Sequence, residues 1–324
     1  AQAIAALGDF ADDPKEPRRF RMGFIASSDI HSARAGSGYK EERGLSETSK
    51  GRTPALEEGG VVASFLRPEP EPPSARSRSY EEAAATLSGL QLFETERTQS
   101  FLYTGGLVAV HAAGRTREAI WDAFERTEVY GPSGPRMLLG FDLLDGERVH
   151  RMGSEVELAQ APVLRVRAIG SFEQAPGCPE EAAQALGTER LQRLCLNECH
   201  HPTDRRRPIT KIEVVRIRPQ IDPDEELADL IDDPWRSVEC DGDPGGCTAT
   251  FTDPDYLALG RDTLYYARAF EAPTPTVNGN TLDCRLDEDG NCVEIRPCPP
   301  DGDCLHPYAA RAWSSPIYVD VPRR

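Results

Sequence analysis

The sequence predicts a mixed α/β N-terminal part followed by an all-β, sandwich-like C-terminal domain stapled by disulfides, and three observations predict it. All nine cysteines lie between Cys178 and Cys304, so an oxidisable framework belongs to the C-terminal part alone. From Met137 onward apolar residues recur at every second position, the period of a half-buried strand. Ahead of that point the clearest periodic segment is helical and sits behind a capping residue. A chain of 324 residues with 39% hydrophobic content has room for two cores. The expected division is 1–135 and 136–324, with 41–79 a surface excursion of the first part.

Taken in order, RFRMGFIASSD at 19–29 has strand-like composition and breaks into a glycine-bearing loop. Residues 41–79 are charged and proline-rich, with PEPEPP at 68–73, and carry no lasting period. Residues 80–96 are rich in Ala, Leu and Glu, as a helix is, and FLYTGGLVAVHA from Phe101 reads as a strand or a turn and strand. In the next segment Ile120, Ala123 and Phe124 share one helical face, Thr116 is placed to cap the N-terminus, and Glu118 falls in the first turn. Strands then dominate: Met137, Leu139, Phe141 and Leu143 alternate, and Leu164, Val166 and Ala168 alternate with Arg165 and Arg167. KIEVVRIR from Lys211 also reads as a strand, but its alternation slips at Val214 and Val215 as at a bulge. TLYYARAF from Thr263 and SSPIYVD from Ser314 complete the set, and short strands joined by proline- and cysteine-rich loops suggest a β-sandwich.

With 54 acidic against 37 basic residues the net charge is −17, which repels nucleic acid and anionic lipid. The apolar run GGLVAVHAA from Gly105 is far shorter than the roughly 18 residues that a spanning helix needs. The chain begins at Ala1 with no basic-then-apolar leader, so the sequence is expected to be a fragment whose upstream part, with any export signal, is missing.

Cys240 and Cys247, Cys284 and Cys292, and Cys298 and Cys304 each flank a short turn-rich loop suited to a local disulfide, which points to a periplasmic or extracellular setting. Cys195 and Cys199 are four apart on a helical-looking segment, too far to bond without unwinding it, so Cys178 is expected to pair with one of them. CLNECHH at 195–201 also offers two thiols and two imidazoles, but without a second ligand pair at finger-like spacing.

The stretch SSDIHSARAGSGYK at 27–40 carries the sharpest chemistry. Asp29 and His31 are two apart, so on an extended chain they point to the same side and can meet one ion. Arg34, Tyr39 and Lys40 follow as candidates to face an anionic substrate, with Gly36 and Gly38 allowing close backbone approach. His111 and Arg115, ahead of the capped helix, are second-rank substrate candidates. Composition alone favours a turn-initiating Asp beside an ordinary surface His.

Several motifs shift that balance. SSDIHSARAGSGYKE, YTGGLVAVHAAGRTREAIWDAFERTEVYG with SGPR, GSFEQAPGCP, RRPITKIEVVRIRP, and LYYARAFE with RAWSSPIYVD occur in this order. Together they resemble the C-terminal half of a bacterial family labelled domain of unknown function 3604, related to the polymerase and histidinol phosphatase (PHP) superfamily. The resemblance implies the last part of a distorted (β/α) barrel, a divalent metal cluster of Mn, Zn or Fe in the full-length protein, and metal-activated water attacking a small anionic ester. It implies Asp29 and His31 as metal ligands and catalytic residues. Pro132 stands where the family leads one to expect a small polar residue. The chain has six histidines and no His-x-His, so the remaining ligands are expected in a missing N-terminal half of the barrel, and the fragment alone is expected to be inactive. The alternative is a secreted, non-catalytic binding protein with a degenerate barrel and an interacting β-sandwich.

Overall fold

The computed structural model describes residues 1–12, 17–27, 106–195, 199–277, 283–288, 292–296 and 305–322. The N-terminal segment forms helix α1 (Gln2–Ala6) and a minimal hairpin of β1 (Gly8–Asp9) and β2 (Arg18–Arg19). After β3 (Ala109–Val110) comes helix α2 (Arg117–Glu125), then β4 (Val129–Pro132), β5 (Leu138–Asp145), β6 (Arg148–Arg151), β7 (Glu155–Glu157), β8 (Val163–Ile169) and β9 (Phe172–Gln174). Helices α3 (Glu180–Leu186) and α4 (Thr188–Cys195) lead to β10 (Pro202–Arg206), β11 (Ile209–Ile217), β12 (Ile231–Glu239) and β13 (Cys247–Thr252). The short α5 (Tyr256–Leu259) precedes β14 (Thr263–Glu271), β15 (Thr274–Val277), β16 (Asp283–Leu286), β17 (Cys292–Arg296), β18 (Leu305–Tyr308), β19 (Arg311–Ser314) and β20 (Ile317–Asp320).

Two main sheets result. The larger runs β12-β11-β14-β19-β4-β3, with β20 also on β14 and β7 parallel to β20; the smaller runs β13-β8-β5-β6. Leu139, Phe141, Leu143, Leu164, Val166, Ala168 and Phe251 of the smaller sheet share one core with Ile212, Val214, Tyr265, Ala267, Ala312 and Val319 of the larger. The period-two pattern therefore does what it predicts: Met137, Leu139, Phe141 and Leu143 are all buried while Leu138 is 48% exposed. On the outer side of the smaller sheet Arg165 and Arg167 clamp Asp142 at 2.8 and 3.1 Å.

Parts of β11, β14 and β20 in the larger sheet are buried on both faces. Val215, Ile217, Leu264, Tyr266 and Tyr318 point away from the shared core into a second one, closed by Ala5, Ala6 and Leu230 with Phe24 packed against it. The N-terminal segment is tied down as a cover: Gln220 N donates to Ala6 O at 2.8 Å, and Gln2 Nε2 donates to the Tyr266 hydroxyl at 2.7 Å. This explains Val214 and Val215. Neighbouring side chains face two different cores, and β11 keeps continuous register with β14 from Lys211 to Ile217. A register shift does occur between Val214 and Arg216, in the pairing with β12.

Helix α2 matches expectation at its start, where the Thr116 hydroxyl accepts from Ala119 N at 3.2 Å. Ala123 is fully buried, whereas Phe124 is 37% exposed. The expected strand at 19–29 is not formed as far as it is described: only Arg18–Arg19 is a strand, and 21–27 are irregular. Their backbone groups are taken by side chains of the larger sheet instead of by a neighbouring strand. Among the described residues no closed barrel is present, and β3 and β4 instead extend the larger sheet, β4 pairing with β19.

Candidate functional site

Asp29, His31, Arg34, Tyr39 and Lys40 lie outside the described residues, and the structure describes the chain that leads to them up to Ser27. That approach is held residue by residue. The Tyr318 hydroxyl accepts from Met22 N at 2.7 Å and donates to Met22 O at 3.1 Å. Burial pushes the Tyr318 phenol up from its ordinary pKa, so the proton needed for that second bond stays in place. Ser315 Oγ accepts from Phe24 N at 3.0 Å and donates to Val129 O at 2.6 Å, and the Phe24 ring meets Tyr266 edge to face at 5.3 Å. Further on, the chain passes so close to β4 that a Cβ on Gly131 would fall 2.6 Å from Ala26 N, and one on Gly106 2.8 Å from Ser27 N. Only glycine at both positions admits this crossing.

His111 and Arg115 are described. His111 is half-buried at the end of β3, its ring 5.3 Å from that of Tyr130, with Nε2 2.8 Å from Leu139 O. A carbonyl can only accept, so Nε2 carries the proton and Nδ1 is the acceptor nitrogen of the neutral ring. The Tyr130 hydroxyl donates to Met137 O at 3.1 Å, and burial raises its pKa. Together His111 and Tyr130, both on the larger sheet, stitch it to the start of the smaller one. Arg115 lies on the exposed bend before α2.

Of the cysteines, Cys178 bonds Cys199 and Cys240 bonds Cys247. The Cys199 sulfur is thereby withdrawn from the CLNECHH set as a thiolate ligand. Among the described residues no group of three His, Cys, Asp or Glu side chains is placed to hold a metal ion.

Sequence reasoning passed over a buried ionic cluster. Arg216 Nη1 donates to both oxygens of Asp253 at 3.1 and 3.0 Å, its Nε donates to Asp232 at 2.8 Å, and the Tyr265 hydroxyl donates to Asp253 at 2.6 Å. Asp253 is fully buried, and burial followed by the hydrogen bond to Asp253 drives the Tyr265 phenol far up in pKa. Every partner in this network is matched, so its role is to join β11, β12 and β14 to the end of β13. The signal available in the sequence was an arginine set among the apolar residues of KIEVVRIR.

Residues 14–147 match the model of a family described as "Protein of unknown function (DUF3604)". The matched span includes Asp29, His31, Arg34, Tyr39, Lys40, His111 and Arg115. No curated protein and no solved structure matches the chain.

Proposed function

We propose that this chain is the C-terminal portion of a metal-dependent hydrolase of the phosphoesterase type, related to the PHP superfamily, with Asp29 and His31 among its metal ligands. The observation that carries the reading is the Asp-x-His triplet, which follows directly on a chain segment pinned by Tyr318, Ser315 and the glycines of its crossing. A ligand pair needs a fixed backbone behind it, and this segment supplies one up to Ser27. One carboxylate and one imidazole suit Mn, Zn or Fe in donor type, but two donors do not close a site, so the other ligands come from the upstream half of the parent protein. When bound, such ions lower the pKa of a coordinated water and polarise an ester oxygen. Arg34, Tyr39 and Lys40 bind and orient the small anionic substrate, with His111 and Arg115 contributing from the end of β3 and the bend before α2. Two disulfides, and the absence among the described residues of a helix long and apolar enough to cross a membrane, are compatible with a periplasmic or extracellular setting.

The test is metal content of the full-length parent protein purified under metal-replete conditions. Stoichiometric Mn, Zn or Fe is expected, falling to background in Asp29→Ala and in His31→Ala. A metal-free full-length protein overturns the reading and favours a non-catalytic secreted binding protein.

A further inference from the structure

A second group of motifs takes no part in that reading. SGPR at 133–136, GSFEQ at 170–174, the basic run at 205–207 and Glu271 are scattered in sequence, and the fold gathers them at one end of the two sheets. Strand β9 pairs antiparallel with β10, Phe172 opposite Arg206 and Gln174 opposite Pro202. Immediately beside this pairing the backbones almost touch: a Cβ on Gly170 would lie 1.7 Å from Arg207 O, and Arg207 N donates to Ser171 O at 2.9 Å. Ser171 N in turn donates to the fully buried Glu271 carboxylate at 2.5 Å. Opposite, His201 N donates to Gln174 Oε1 at 2.9 Å, and the Cys178–Cys199 disulfide anchors the chain directly before His200.

These ties enclose a cavity of about 70 Å³ lined by Arg136, Ser171, Phe172, Gln174, His200 and Arg207. A water needs on the order of 10–15 Å³ of such space, so the cavity holds several waters or one oxyanion of similar bulk. Its lining is cationic in a protein whose net charge is −17. Arg207 is 91% buried by exposure of only 9%, and Ser171 Oγ, on a residue 2% exposed, has no hydrogen-bond partner among the described residues. A buried hydroxyl without a partner costs stability unless something occupies the space in front of it. The Arg206 guanidinium stacks 3.8 Å from the centre of the Phe172 ring and donates to Gly170 O, which fixes the wall. Glu271, the nearby carboxylate, sits behind Ser171 and does not line the cavity.

We infer that this cavity is a binding site for a small oxyanion, phosphate or sulfate, or the same group on a larger ligand. Arg136 and Arg207 bring two guanidinium groups to its wall, and the buried Ser171 hydroxyl supplies a hydrogen-bond donor to an oxygen of such a group. The assignment does not rest on the proposed metal-ligand role of Asp29 and His31.

The experiment is titration calorimetry on the purified chain with its disulfides intact, using inorganic phosphate, sulfate and acetate, each in the presence of a metal chelator. Saturable single-site binding of phosphate or sulfate is expected, with acetate weaker because its planar carboxylate reaches fewer donors. Arg136→Glu, at an exposed position, is expected to weaken binding roughly tenfold or more. Arg148→Glu makes the same charge change on β6 and is expected to leave affinity within about twofold, since only general Coulomb attraction is altered. No saturable binding of phosphate or sulfate, equal weakening by the two variants, or acetate binding as tightly as phosphate overturns the assignment.

Discussion

The two sheets share a core yet differ in what lies on their outer faces. The outer face of the smaller sheet is polar: Thr248 and Thr250 are exposed, and Arg165 and Arg167 close over Asp142. On the outer side of the larger sheet Val215, Ile217, Leu264 and Tyr266 form an apolar patch beneath the N-terminal helix and Phe24. A sheet with one wet face writes strict alternation into its strands, whereas a sheet covered on both faces writes continuous apolar runs. Val214-Val215 and Leu264 to Ala267 are such runs, and their second layer is supplied by the first residues of the chain.

Placing the same charge on each outer face is the strongest way to break this comparison. Val215→Asp buries an unpaired carboxylate beneath the N-terminal cover and is expected to destabilise by about 4 kcal/mol or to prevent folding. Thr250→Asp, at an exposed position opposite Arg165, is expected to change stability by less than about 0.5 kcal/mol. Urea unfolding of both variants checks this, and equal losses would mean that the outer layer of the larger sheet contributes little.

A second, smaller effect tests the join between the sheets. Asp253→Ala leaves Arg216 buried with Asp232 as its remaining close carboxylate partner and removes the acceptor of Tyr265, with an expected cost of about 3 kcal/mol. Chemical denaturation of this variant measures the loss directly.

The smallest expected effect sharpens the account of the cover itself. Glu225 accepts from Ile221 N and Asp222 N and holds Arg261, bracing the loop whose Gln220 bonds Ala6. The Arg261 hydrogen bond, with help from those backbone donors, lowers the Glu225 pKa from 4.5 to about 2. A carboxylate whose pKa is lower in the folded state stabilises the fold above its unfolded pKa and loses that contribution as protons bind. Stability is therefore expected to fall as pH drops from about 4.5 to about 2, and Glu225→Gln is expected to flatten that slope while costing about 1 kcal/mol at neutral pH. Thermal melts across this pH range provide the comparison.

Much of the fold was legible because its cause is local. Met137 to Leu143 and Leu164 to Ala168 announce their faces by period alone, Thr116 announces a helix start by its hydroxyl, and Cys240 announces its partner by a turn-rich loop of six residues. The run at 19–29 misled because apolar composition is shared by strands and by irregular chain pressed against a sheet; Phe24 is apolar for its contact with Tyr266. Of the candidate site, Asp29 and His31 became a candidate ligand pair through the family resemblance, and His111 was picked out as a polar residue at a strand end. The bond from His111 to Leu139 O was not legible, since its two partners belong to different sheets.

The sequence by itself determined the alternating strands, the helix cap, the disulfide-bearing C-terminal half and the Asp-x-His triplet, because each depends on residues within a few positions of one another. Tertiary structure alone decided that the N-terminus covers the larger sheet, that Val214 and Val215 serve separate cores, and that Arg136, Ser171 and Arg207 meet around one cavity. Those outcomes come from contacts between segments far apart in the chain, and no local period or propensity encodes which distant surface a segment will meet.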